Sequence, residues 1–190
     1  MKTIASLLTA CLLLSFAAQA QRDETLFGTS GLRLTGAWGA STVGWTKFEN
    51  EYAAIRGGYG GLEFNKALFL GWGGFDTNDD VVQGPNNSRF DLSYNGFMVG
   101  YSPRAHSTFH PSFNLLTGSG RVDIAGEGRD KIFVVQPSMG VEINVFRWFR
   151  FGADAGYRIV TNTDNPALND SDLSAFYGEL KFKFGWSWGR

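Results

Sequence analysis

Apolar and polar residues alternate along most of this chain, and the alternation is clearest at its end. From Ser174 to Trp188, Phe176, Leu180, Phe182, Phe184, Trp186 and Trp188 fall on one parity. Tyr177, Glu179, Lys181, Lys183 and Ser187 fall on the other. A period of two is the signature of a β-strand with two unlike faces. Such a long run with large apolar residues exceeds an ordinary strand of a small soluble domain. It predicts a strand that crosses a membrane, with aromatics toward lipid and charges toward a lumen.

Earlier segments repeat the pattern. Strands are predicted over 32–39, 52–62, 67–75, 90–101, 108–117, 131–143 and 149–160, which with the last makes eight. Pro137 interrupts the sixth and predicts a local distortion, because proline has no N–H for the ladder. The intervening stretches alternate in character. Polar stretches at 41–50, 76–88, 118–130 and 161–172 read as loops, and 63–66, 102–107 and 144–148 as short turns. Alternation of long loops with short turns is expected of an up-and-down barrel in an outer membrane, with the long loops outside the cell. The predicted fold is therefore all-β: an eight-stranded antiparallel up-and-down transmembrane β-barrel with a side-chain-filled lumen.

The charged residues on the strands sharpen this. Arg33, Arg56, Asp91, Glu142, Arg150, Asp154, Arg158, Glu179, Lys181 and Lys183 are nearly balanced in sign. That suits a narrow lumen in which buried charges need partners. The expectation is a lumen charge network rather than a diffusion pore. Trp38, Trp72, Trp148, Tyr157 and Trp186 lie near the ends of predicted strands, where girdle aromatics belong.

Residues 1–20 read as a secretory signal peptide: Lys2, an apolar run from Ile4 to Ala18, and the small-x-small site Ala18-Gln19-Ala20. The barrel domain is expected over 21–190, exported to the cell outer membrane. Leu8-Thr9-Ala10-Cys11 has the form of a lipoprotein box, but the apolar run continues past Cys11, which favours a cleaved signal. Cys11 is the only cysteine, so the mature chain has no thiolate metal site and no disulfide. Setting Lys2 aside, basic residues fall just short of the 18 acidic ones, and no basic excess points to nucleic acid.

In this pattern the chain resembles the small eight-stranded outer-membrane β-barrel family, the OmpA/OmpX-like proteins. The resemblance implies that Phe182, Phe184, Trp186 and Trp188 form the terminal aromatic signal read by the barrel-assembly machinery. Gly189-Arg190 after the last aromatic departs from the family pattern. The family holds adhesion and defence proteins, envelope anchors and a few enzymes, so the fold leaves function open.

Candidate chemistry is sparse. His110 and Ser112 lie two apart and share a face, as a base and a nucleophile would. The pair is similar to the His-x-Ser of a lipid A deacylase built on an eight-stranded barrel. Here its place near a short turn reads instead as a polar lumen pair. Asp76, Asp79 and Asp80, and Asp164, Asp170 and Asp172, read as solvated loop charge, without the glycine and distal glutamate of a calcium loop. Gly57 to Gly61 lacks the Lys-Ser/Thr of a phosphate loop. No catalytic residue, cofactor or metal is expected. The expected function is a non-enzymatic outer-membrane protein with a structural or surface-interaction role. Its expected partners are outer-membrane lipid, the assembly machinery and a surface ligand at loops 41–50, 76–88, 118–130 and 161–172. The alternatives are an enzyme acting on envelope lipid or lipopolysaccharide, and a narrow channel or small-solute transporter. A soluble lipocalin-like barrel would instead turn Phe176, Leu180, Phe182 and Phe184 inward.

Overall fold

The structure is a computed structural model that describes residues 31–48, 51–77, 81–83, 88–124, 128–163 and 170–188. The signal peptide, Cys11, Asp79, Asp80, Asp164 and Gly189-Arg190 lie outside the described residues. The chain divides at Arg33, and the barrel occupies Leu34–Arg190.

Nine strand segments follow one another: β1 Leu34–Phe48, β2 Glu51–Phe64, β3 Leu68–Thr77, β4 Val81–Gln83, β5 Ser88–Tyr101, β6 Phe109–Ile124, β7 Gly128–Phe146, β8 Phe149–Thr161 and β9 Ala175–Ser187. A short helix, α1, spans Asp170–Leu173 before β9. All pairings are antiparallel, and β9 pairs β1 from Gly36↔Ser187 to Thr46↔Tyr177, which closes the sheet. Both β3 and β4 pair with β5, so together they form one stave of a closed eight-stranded barrel.

One end is closed by short turns. Phe64 to Ala67 is a type I′ turn: Asn65 and Lys66 have φ of 51° and 56°, and the Ala67 N–H donates to the Phe64 carbonyl at 3.0 Å. Its hand matches the twist of paired strands, which is why such turns join hairpins tightly. At the neighbouring turn the Asn144 side-chain amide donates to the Ala105 and Ser107 carbonyls at 2.8 and 2.7 Å.

The other end carries long hairpins. β7 runs for 19 residues and β6 for 16, whereas crossing the hydrocarbon takes only about 9–11. The strands thus continue well past the membrane. This corrects two expected loops: Ser41 to Phe48 is strand, and most of 118–130 is the β6–β7 hairpin. Their polar composition reflects a strand face in water rather than irregular chain. At this end the Thr163 hydroxyl and backbone N–H both donate to Asp170, holding its carboxyl below the usual range. Asp170 begins α1 and Leu173, fully buried, ends it.

The outer wall has an apolar belt. Phe113, Leu115, Met139, Val141, Ile143, Phe176 and Phe184 all point outward and are exposed. Phe176 and Phe184 are 76% and 49% exposed, which excludes the inward arrangement of a soluble lipocalin-like barrel. Near the short turns, Phe146 stacks on Trp148 at 5.6 Å and Phe149 lies 5.1 Å from Phe184, forming an aromatic rim. Trp72, Trp148, Trp186 and Tyr157 are exposed on this outer wall, but Trp38 is not: it is 3% exposed and points into the lumen. In proteoliposomes with brominated acyl chains, single-tryptophan versions retaining Trp72 or Trp186 should be strongly quenched. A version retaining Trp38 should be nearly unquenched, and equal quenching would contradict its lumen placement.

Candidate functional site

The lumen has two storeys of opposite chemistry. The storey near the short turns is polar and charged. Arg150 on β8 reaches Glu63 on β2 at 3.3 Å and lies 3.9 Å over the Trp38 ring. The Ser187 hydroxyl donates to Glu63 at 2.6 Å and accepts from the Trp38 indole N–H at 3.1 Å. Next inward, Glu142 on β7 is held by Lys183 at 3.0 and 3.1 Å and by Lys181 at 2.9 Å. Lys181 also meets Asp154 at 2.8 Å. Asp154 in turn accepts from Ser112 at 3.1 Å and Asn114 at 2.8 Å. These side chains come from six different staves, and the period of two aims each inward.

Burial makes this network consequential. Glu142, Lys181, His110 and Ser112 are at most 1% exposed. A charge without water needs a partner in good geometry, and here Glu63, Glu142, Asp154, Lys181 and Lys183 each have one.

The storey toward the long hairpins is apolar. Phe48, Phe90, Leu92, Val122, Val134, Val160 and Leu173 are each 2% exposed or less and belong to one packed cluster. Phe48 meets Phe90 edge-on at 5.2 Å, and Phe75 stacks on Tyr94 at 5.5 Å. Full burial of such a side chain contributes roughly 1.5–3 kcal/mol. Arg158 marks the boundary between storeys. Its guanidinium lies 4.8 Å from the Phe48 ring and 5.8 Å from that of Tyr94, and its Nε donates to the Leu173 carbonyl at 3.3 Å.

Of the residues expected in the lumen network, Glu142, Arg150, Asp154, Arg158, Lys181 and Lys183 are buried, and Glu179 shares their face directly across from Asp154. Three others do not join them. Arg33 precedes β1 and is exposed. Arg56 and Asp91 point outward, Arg56 opposite Asp76 and Asp91 opposite Asp123. On β2 and β5 the faces are reversed from the expectation: Ile55, Tyr59, Leu92, Tyr94 and Met98 line the lumen. The reason is height. Ile55, Leu92 and Tyr94 rise beside the apolar storey, where the outer face meets water and the inner face is a core; Tyr59 and Met98 sit lower, where Tyr59 packs on Phe69, whose ring lies 5.8 Å from the Lys183 ammonium. Glu63, expected in the 63–66 turn, is a further network member. Its parity with Tyr59 and Gly61 was the available signal.

His110 and Ser112 share the lumen face but bond to different partners. The His110 ring contacts the Ser107 carbonyl through Nδ1 at 3.1 Å, and its Nε2 lies 3.4 Å from Glu142. Ser112 instead bonds Asp154 and accepts from Lys181 at 3.0 Å. An ammonium flanked by two carboxylates has no lone pair with which to take the serine proton. The structure sets a carboxylate beside each, Glu142 at His110 and Asp154 at Ser112. Among the described residues no group of three His, Cys, Asp or Glu is placed to hold a metal ion. Asp76 and Asp170 are exposed.

The terminal aromatics alternate outward. Phe184 and Trp186 are exposed, Phe182 is half-buried beside Phe151 at 5.4 Å, and Trp188 follows β9 with its N–H donating to the Thr35 carbonyl at 2.6 Å. β9 therefore ends against the first residues of β1.

No protein-family model and no curated protein sequence matches the chain. Solved structures do. Neisserial surface protein A (NspA) superposes with a TM-score of 0.58 at 13% identity, covering 83% of this chain and 99% of that one. Ail, the attachment invasion locus protein of Yersinia pestis, solved in complex with the heparin analogue sucrose octasulfate, gives 0.50 at 13% identity, covering 82% and 99%. Strand count, closure, apolar belt and filled lumen agree with that likeness, and the chain has the fold of the small eight-stranded outer-membrane β-barrels of the OmpA/OmpX-like type.

Proposed function

We propose that this protein is a non-enzymatic outer-membrane barrel whose long-hairpin end is a surface-interaction platform. The observation that carries the reading is the closed apolar storey beneath that end. It leaves the lumen charges without contact with the surface, while the hairpins present a polar outer wall of Arg56, Asp76, Asp91, Ser93, Asn95 and Arg121. Ail, a neighbour in fold, bears attachment in its name, which supports a role of this class. The buried and charge-paired Ser112 weighs against an enzyme, and the packed storey weighs against a channel.

Orientation is tested with cysteines, since Cys11 lies in the expected signal and the mature chain is otherwise cysteine-free. In intact cells, Ser93→Cys should react with a membrane-impermeant maleimide and Lys66→Cys only after lysis. The opposite pattern would overturn the reading. Planar-bilayer recordings of the purified barrel should show no steady conductance, and a steady conductance would favour the channel alternative.

A further inference from the structure

Between β7 and β8 the wall is interrupted. Pairing runs Phe133↔Thr161 to Val135↔Ile159 and resumes only at Ser138↔Gly156, skipping Gln136 and Pro137. Pro137 has no N–H to give, so the ladder opens at that point. A notch of about 670 Å³ lies there on the outer wall. Its lining mixes outward-facing Met139, Tyr157 and Phe176 with lumen-facing Ser138 and Tyr177, so it enters the thickness of the wall. Tyr157 and Phe176, in edge contact at 4.7 Å, form its rim. Tyr177 also lines it, packed so closely on Gly156 that a Cβ there would stand 2.7 Å from the ring and 2.3 Å from the Pro137 carbonyl oxygen. A mostly apolar recess of this size falls within the range of ligand sites, roughly 300–1,000 Å³.

We propose that the notch at Pro137 seats one acyl chain of an outer-membrane lipid, drawn from the leaflet at the long-hairpin end. The notch is continuous with the lipid-facing belt: Met139, Val141 and Ile143 run on from it toward the short turns, all exposed. The medium against that belt is hydrocarbon, so the occupant is a lipid chain rather than a soluble partner. The rest of the belt offers ridges of side chains, whereas a chain in the notch is contacted on several sides and gains dispersion contacts there. This inference rests on the outer-membrane reading above.

The test is photolabelling of the full mature chain in phosphatidylethanolamine–phosphatidylglycerol vesicles, with a trace of phospholipid bearing a diazirine at the acyl terminus. Adducts at Met139, Tyr157 and Tyr177 should exceed those at Trp72 and Phe97, which pair with each other on the far wall, by about fivefold. Ala155→Trp, which fills the notch from outside, should abolish the excess while keeping heat-modifiable gel mobility. If that variant does not fold, Met139→Trp serves in its place. Equal labelling of both walls, or an excess that survives the filled notch, overturns the proposal alone. Failure of the chain to float with the vesicles overturns the membrane reading and this one together.

Discussion

Replacing Glu142 with alanine should be among the most damaging single changes in the barrel. The carboxylate holds Lys183 through both oxygens and Lys181 through one, with His110 beside it. Removing it leaves the Lys183 ammonium in a dry lumen without its carboxylate, while Lys181 keeps Asp154. Breaking a buried ion pair from one side costs about 3–5 kcal/mol. Urea titration of the protein in vesicles, followed by tryptophan fluorescence and gel mobility, should show a loss of that size. The pair Glu142→Leu with Lys183→Met removes the orphaned charge and should recover much of it. A double variant as unstable as the single one would mean that Lys183 is not the residue stranded. A Glu142→Ala protein of unchanged stability would show that water reaches the network.

Gly118→Val should be comparably severe, for a steric reason. Gly96 and Gly118 face each other across β5 and β6. A Cβ at Gly118 would stand 2.0 Å from the Asn95 carbonyl oxygen and 2.4 Å from the Gly96 Cα. Both are backbone atoms, so relief requires moving a stave. We expect a loss of about 4 kcal/mol or more, seen as failure to give the compact, heat-modifiable band. Gly39→Ala is the matched control: its Cβ would meet only the Tyr59 carbonyl oxygen at 3.6 Å, ordinary contact, and the band should be unchanged. A folded Gly118→Val would mean that the two staves are less closely apposed than the structure has them.

The staves were legible because a period of two is written by the chain alone, and all eight appear near their predicted places, β1 and β6 running further than expected. Which face turns inward is not written locally. Leu92 and Asp91 alternate just as Ile143 and Glu142 do, yet the inward residue is apolar in one case and charged in the other. The difference is height relative to the membrane, which depends on how far each hairpin rises and hence on the register of all the staves together. Trp38 departs from the girdle expectation for a related reason. An aromatic near a strand end suits a girdle, but its parity with Gly36 and Thr42 places it inside, against Arg150. The partners within the network were hidden by sequence distance: Ser112 meets Asp154 across Gly140 once β6, β7 and β8 have paired, and Arg150 meets Glu63 only after β9 has closed on β1.

The apolar storey bears on how tightly any surface partner can be held. Flexible loops that become ordered on binding lose conformational freedom, and that loss is subtracted from the affinity. Here the bases of the long hairpins are fixed in advance on Phe48, Phe90, Val122, Val134 and Val160. For the surface partner proposed above, these bases would add no ordering cost on binding, so a smaller contact area would suffice for a given dissociation constant.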